Sequence, residues 1–186
     1  MTQKKHYGKH RGSVLNNVDP LNRGRILAQV ASVSGLLPTS WCEPCLPLAG
    51  IQSGTWFVPQ IGAGVWIEFE DGDIARPIWT GCFWGSAAEV PALALAGLPA
   101  SPSIVLQTSG QSTLMLSDVP GALGGVLLQA RTGAISISEA GITLVSGAAM
   151  ISVTPGAITI SNGTGASVVL GPGQQVALNL EALVVT

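Results

Sequence analysis

Ile135-Ser136-Ile137, Ile142-Thr143-Leu144, Ile151-Ser152-Val153, Ile158-Thr159-Ile160, Val168-Val169-Leu170, Val176-Ala177-Leu178 and Leu183-Val184-Val185 follow one another down the end of the chain. Their starts lie 7, 9, 7, 10, 8 and 7 residues apart. A period of about eight is too short for a helical repeat and suits a strand followed by a turn. Between the triplets stand Gly141, Gly147, Pro155-Gly156, Asn162-Gly163 and Gly171-Pro172-Gly173, which supply turn backbone. Successive side chains of a strand point to opposite faces, so the aliphatic first and third residues share one face and Ser, Thr, Val or Ala takes the other.

One chain with strands this short cannot bury that aliphatic face, because too little surface is removed from water to offset the ordering entropy. Three copies wound together would set the face on a common axis and pair strand edges with neighbouring chains. The expected axial core is Ile135, Ile137, Ile142, Leu144, Ile151, Val153, Ile158, Ile160, Val168, Leu170, Val176 and Leu178, with Ser152 facing outward. If each unit advances the axis by one strand spacing, about 4.8 Å, residues 104–186 form a needle about 45–50 Å long. A single-chain β-helix, with three units to a turn, would reach only about 16 Å. That β-helix and a sandwich of short strands are the alternatives.

Composition divides the 186 residues in two. All five Trp (41, 56, 66, 79 and 84) and most charges lie in the first half. After Glu89 the only charged residues are Asp118, Arg131, Glu139 and Glu181, and no aromatic residue occurs. The expected domains are a barrel over 1–85, a linker over 86–103 rich in Ala and Pro (Pro91, Pro99, Pro102), and the repeats over 104–186. The start, MTQKKHYGKHRG, has no apolar core of a signal peptide, and no apolar run is long enough to span a bilayer, so synthesis in the cytosol is expected. A net charge of −2 gives no general reason to expect nucleic acid.

In the first half, residues 11–17 and 24–33 alternate and are separated by Asn17-Val18-Asp19-Pro20, which predicts a hairpin. Pro38, Pro44, Pro47 and Pro59 exclude regular helix from 34–60, leaving short edge strands or extended loop. Val65, Ile67 and Phe69 alternate on one face, Asp71-Gly72-Asp73 turns the chain, and 77–83 returns. Short strands with a long central connection fit a small closed barrel such as an OB-fold. The basic start, Lys4, Lys5, Lys9 and Arg11, is either a solvated tail or a docking surface for an acidic partner. Cys42-Glu43-Pro44-Cys45 lacks the further ligands of a zinc site, Cys82 being the only other cysteine, so reduced, buried thiols are expected. Glu68, Glu70, Asp71 and Asp73 sit at a hairpin tip where carboxylates face water, and no catalytic set, metal site or cofactor site is expected. An OB-fold module for single-stranded nucleic acid is the competing function, but the Trp residues lie in apolar runs without interleaved Arg or Lys.

Several ordered blocks carry a resemblance. Tyr7-Gly8-Lys9-His10-Arg11-Gly12, Asn17-Val18-Asp19-Pro20 with Arg23-Gly24-Arg25, residues 41–50 (WCEPCLPLAG), 65–70 and 76–85 (RPIWTGCFWG) resemble the OB-fold domain of the phage baseplate assembly protein V and VgrG-like spike family of contractile injection systems. Leu116-Ser117-Asp118-Val119-Pro120-Gly121 and residues 176–185 (VALNLEALVV) are similar to that family's spike. The resemblance implies an all-β homotrimer, with OB barrels gripping a separate trimeric hub protein at the tail-tube end and a C-terminal intertwined triple-stranded β-helix that pierces the target cell envelope. It implies no enzyme, since the 86–103 segment is too short for the lysozyme domain some relatives carry. Nor does the chain hold the His-x-His motif with which some relatives bind apical iron, no His occurring after His10. The apex is then metal-free or capped by a PAAR-like tip protein.

Overall fold

A computed structural model describes residues 4–179 and the backbone of 183–185, which fall into two compact units, Met1–Glu89 and Val90–Thr186. Strands are the main regular element of both, helix being confined to single turns, and the first is a barrel of the OB type.

The barrel strands are β1 (His10–Asn16), β2 (Leu27–Gln29), β3 (Glu43–Pro44), β4 (Ala49–Gly50), β5 (Ser53–Gly54), β6 (Gly64–Phe69) and β7 (Pro77–Phe83). Five of them form one sheet in the order β2-β1-β6-β7-β3, and β4 pairs with β5 as a separate arm. Ile26 and Cys42 close the sheet on itself by exchanging backbone hydrogen bonds, Cys42 N to Ile26 O at 2.8 Å and Ile26 N to Cys42 O at 3.3 Å. Alternation along β6 puts Val65, Ile67 and Phe69 inside, where they pack with Val14, Ile26, Ala28, Val30, Cys42 and Trp79. Trp79 reaches that position without an unpaired donor, because its Nε1 donates to Gly24 O at 3.1 Å.

Asp19 ties the connection between β1 and β2. Its carboxylate accepts from the backbone N–H of Leu21 (2.9 Å), Arg23 (2.8 Å) and Arg25 (3.3 Å), and from Arg25 Nη2 at 2.7 Å and Nε at 3.1 Å. The Arg25 guanidinium, with those three N–H groups, holds the Asp19 carboxyl well below the usual carboxylate range despite the burial that opposes it. Because Asp19 takes the N–H groups of Arg23 and Arg25, they cannot join a ladder, and the strand expected over 24–33 is confined to Leu27–Gln29. It is followed by a single helical turn, α1 (Ala31–Ser34), ended by Gly35 at φ 63°. The expected burial of the thiols holds only for Cys42, whose thiol burial pushes up to about 11. Cys45 and Cys82 are exposed. Cys45 follows Pro44 at the sheet's short edge strand, and a bulge in the β6–β7 pairing breaks the alternation of β7 before Cys82.

The second unit comprises β8 (Ile104–Gln107), β9 (Thr113–Ser117), β10 (Gly125–Ala130), β11 (Gly133–Ser138), β12 (Gly141–Ser146), β13 (Ala149–Val153), β14 (Ile158–Ser161), β15 (Ser167–Leu170), β16 (Val176–Leu178) and β17 (Leu183–Val185). All ten lie in one sheet in chain order, each antiparallel to the next. Within the chain the ladder is continuous from β8 to β17, each strand paired with the next. Two-residue turns at 131–132, 139–140 and 147–148 return the chain directly beside the strand it has left, which leaves no length for crossing to another sheet. The strands are also longer than the triplets, with β10, β11 and β12 each six residues. Segment 86–103 carries turns at Ala87–Glu89 and Ala92–Leu95 and divides between the two units. At one spacing per strand the sheet still extends about 45 Å along its hydrogen-bond direction.

The Asp19 cluster yields a test with a sign. A carboxyl whose folded pKa is depressed adds stability that is fully present above its unfolded pKa, about 3.9, and is lost as pH falls below it toward the folded value. Asp19→Asn should lower the melting temperature of the barrel at neutral pH, and the gap to wild type should narrow on acidification from pH 5 toward pH 3. Equal melting of both proteins at pH 7, followed by Trp fluorescence, would mean that the cluster does not hold the barrel.

Candidate trimer interface

The antiparallel register of the second unit stacks its aliphatic residues into two columns. One runs Ile104, Leu116, Val126, Ile137, Ile142, Val153, Ile158, Leu170, Val176. The other runs Leu106, Leu114, Leu128, Ile135, Leu144, Ile151, Ile160, Val168, Leu178. The backbone of β17 continues both registers. Cross-strand partners point to the same side of a sheet, so both columns share one face. Each residue expected in the axial core stands in one of them.

That face is open in the single chain. Ile151 is 40 % exposed, Ile142 45 %, Ile160 49 % and Ile104 64 %. Soluble monomers rarely leave a contiguous apolar surface of this extent to water. A shallow apolar groove of about 520 Å³ follows the second column past Leu114, Leu128, Ile135 and Leu144. On the opposite face Ser136, Thr143, Ser152 and Thr159 form an uncharged row across β11 to β14. A one-residue slip would exchange these faces, and the tight turns prevent it. Gly141 is one place where the register is fixed by backbone: it sits at φ 135°, and a Cβ there would collide with the Val153 carbonyl.

The turns along this sheet satisfy themselves with uncharged groups. Ser138 Oγ accepts from Ala140 N at 3.2 Å, Thr154 Oγ1 from Ala157 N at 3.2 Å and Ser161 Oγ from Gly163 N at 3.1 Å. Asn162 Oδ1 accepts from Thr164 N and Ala166 N, both at 2.9 Å, and Asn179 Oδ1 from Ser167 N at 3.0 Å. Glu139 is the one carboxylate so used among the described residues of the unit, accepting from Gly121 N at 2.8 Å.

The basic residues at the chain start separate in the barrel. Lys9 Nζ bonds Glu68 Oε1 at 2.9 Å and Thr80 Oγ1 at 3.0 Å, and the Arg11 guanidinium stacks 4.8 Å from the Trp66 ring and 4.6 Å from the Phe83 ring. Lys4 and Lys5 are exposed and make no ion pair among the described residues. The hairpin-tip carboxylates are likewise engaged: Glu70 and Asp71 pair with Arg76, and Asp73 accepts from Ala75 N. Since Arg11 occupies the faces of Trp66 and Phe83, this half-buried aromatic pair is already stacked. Among the described residues no cluster of three or more His, Cys, Asp or Glu is placed to hold a metal ion, and no helix is long and apolar enough to cross a membrane. Sequence reasoning left short edge strands or extended loop over 34–60, which the β4–β5 arm fits, but did not single out its exposed apolar flanks, where Ile51 is 98 % exposed and Leu48, Trp56, Phe57 and Ile61 are also exposed. The signal was present as an unbroken run without charge over residues 46–63.

Residues 10–84 match the type VI secretion system/phage-baseplate injector OB domain, and residues 103–155 match the phage baseplate V C-terminal trimerisation domain. No curated protein matches the chain closely. The trimerisation domain covers β8 to β13, the first six strands bearing the two columns, and fits a C-terminal β-helix assembled by a homotrimer.

A single chain would tolerate a charge at Ile151, whereas a trimer closed on this face would bury three carboxylates near one level, at a cost of several kcal/mol each before relaxation. Ile151→Asp should abolish the trimer, and Ser152→Asp on the other face should keep it. Light scattering reads the mass of each; equal trimerisation of both variants would mean the columns do not face the axis.

Proposed function

The chain belongs to the phage baseplate V family, a component of the baseplate spike, and we propose that it is the central spike of a contractile tail, held to the tube end by its barrel and driven through a target cell envelope by its needle. The observation that carries this reading is the pair of unburied aliphatic columns: three such sheets closed on one another make a solid, narrow shaft whose interior holds no room for a substrate. A shaft of that kind acts by transmitting force, so the protein is read as structural and not as an enzyme.

Two features support penetration and attachment. The turns that line the shaft are capped by Ser, Thr and Asn, so passage through a low-dielectric layer desolvates few charges. The barrel offers Lys4, Lys5 and the uncharged β4–β5 arm to a partner, and a separate hub protein at the tube end is the partner proposed for it. Assembly would take place in the bacterial cytoplasm, and a PAAR-like protein could cap the apex.

Particles assembled with a chain ending at residue 103 test the reading. They should retain the barrel on the hub and still contract, yet fail to breach the envelope, read as loss of killing or infection and of dye entry. Penetration at the wild-type rate would remove the piercing role. Failure of the purified full chain to co-sediment with hub proteins would remove the attachment.

A further inference from the structure

The two lateral edges of the needle sheet differ. Connections 118–124, 139–140, 154–157 and 171–175 lie on one edge, which holds Pro120, Pro155 and Pro172; connections 108–112, 131–132, 147–148 and 162–166 lie on the other and hold no proline. Among the described residues charge divides the same way. Asp118 and Glu139 stand on the proline edge, and Arg131 stands on the opposite edge. Arg131 is exposed and makes no ion pair among the described residues. Its turn joins β10 to β11, whereas the acidic connections join β9 to β10 and β11 to β12, so along the strand order Arg131 is offset from each by about one strand spacing of 4.8 Å, on the opposite edge of its own sheet. The hydrogen bond from Gly121 N to Glu139 keeps both carboxylates around the 118–124 connection.

In a cyclic trimer every corner is heterologous: one edge of a sheet meets the opposite edge of the next. On the apolar face, the row beside the Arg131 edge is Ala130, Gly133, Ser146 and Ala149, which continues the register of the columns with small residues. A neighbouring backbone can approach that strip closely. We infer that each corner of the trimer seats the proline edge of one protomer on this small-residue strip of the next, where Arg131 pairs with Glu139 of the partner subunit and is flanked by Asp118 of the partner subunit. The aliphatic columns are alike from level to level and would accept a slip by two strands. The corner pair is what makes one axial register and one rotational order differ from the others, a use of polar groups known from coiled-coil seams.

The inference rests on the trimeric spike reading, and charge exchange tests it separately. Arg131→Glu or Glu139→Arg alone should lower the melting temperature of the trimer, more at low ionic strength than in 1 M salt. The double exchange should recover most of the loss. Because Glu139→Arg also breaks the bond to Gly121, the decisive arm is co-expression of the two single variants with different tags. Every contact between unlike chains then joins opposite charges at the corner, so mixed trimers should exceed their random share in native mass spectra, and Arg131→Gln mixed with wild type should give only that random share. A random share of mixed trimers for the charge-reversed pair, or a double exchange no more stable than the sum of the single losses, would overturn the corner pair while leaving the trimer intact. A monomeric wild type would overturn both.

Discussion

Two columns of aliphatic side chains, set on one face by the two-residue period of the strand, govern the second unit. Covering a Leu, Ile or Val that is about two-fifths exposed contributes roughly 1 kcal/mol, so a few strands per chain outweigh the loss of freedom on association. An exposed ion pair is worth about 0–1 kcal/mol. Association strength therefore resides in the columns, and the three charges on the sheet's edges among the described residues are too few to compete with it. They act on which arrangement forms.

The barrel and the needle solve the same local problem with different chemistry. In the barrel, Asp19 and Asp73 accept the free N–H groups of their turns, and Asp19 does so with Arg25 as counter-ion. In the needle the same task falls to Ser138, Thr154, Ser161, Asn162 and Asn179. Carboxylates are the stronger acceptors but cost more to desolvate, so uncharged caps suit a surface whose surroundings become less polar. The charge depletion after Glu89 is thus a property of the turns as much as of the faces.

Much of this was legible because period and turn chemistry are local. The alternation of Val65, Ile67 and Phe69 placed the barrel core, and the triplets from Ile135 to Leu178 placed the aliphatic face. The route of the chain was not legible from a period of about eight, which suits both a chain wound among its neighbours and one that doubles back. Only the length of the connections separates the two, and triplet spacing hid it, since strands such as Gly133–Ser138 extend beyond the aliphatic residues to two-residue turns. The Asp19–Arg25 cluster and the exposure of Cys82 depend on contacts six residues apart and on a bulge, neither of which leaves a periodic trace.

The doubled-back route has a mechanical consequence. In a meander the ladder hydrogen bonds point along the axis of the shaft, so axial load passes from strand to strand through them. Under thrust, neighbouring strands are already at their contact distance of about 4.8 Å, and the aliphatic columns stand side chain on side chain at every level; compression meets repulsive contacts and finds little space to close. Under tension the ladder between two strands would open with nothing but the turn to hold them. A chain wound around three faces would instead share each level among three covalent strands and resist both directions. Intramolecular pairing thus resists compression better than tension, and the two-residue turns at 131–132, 139–140 and 147–148 are where the sequence commits to it.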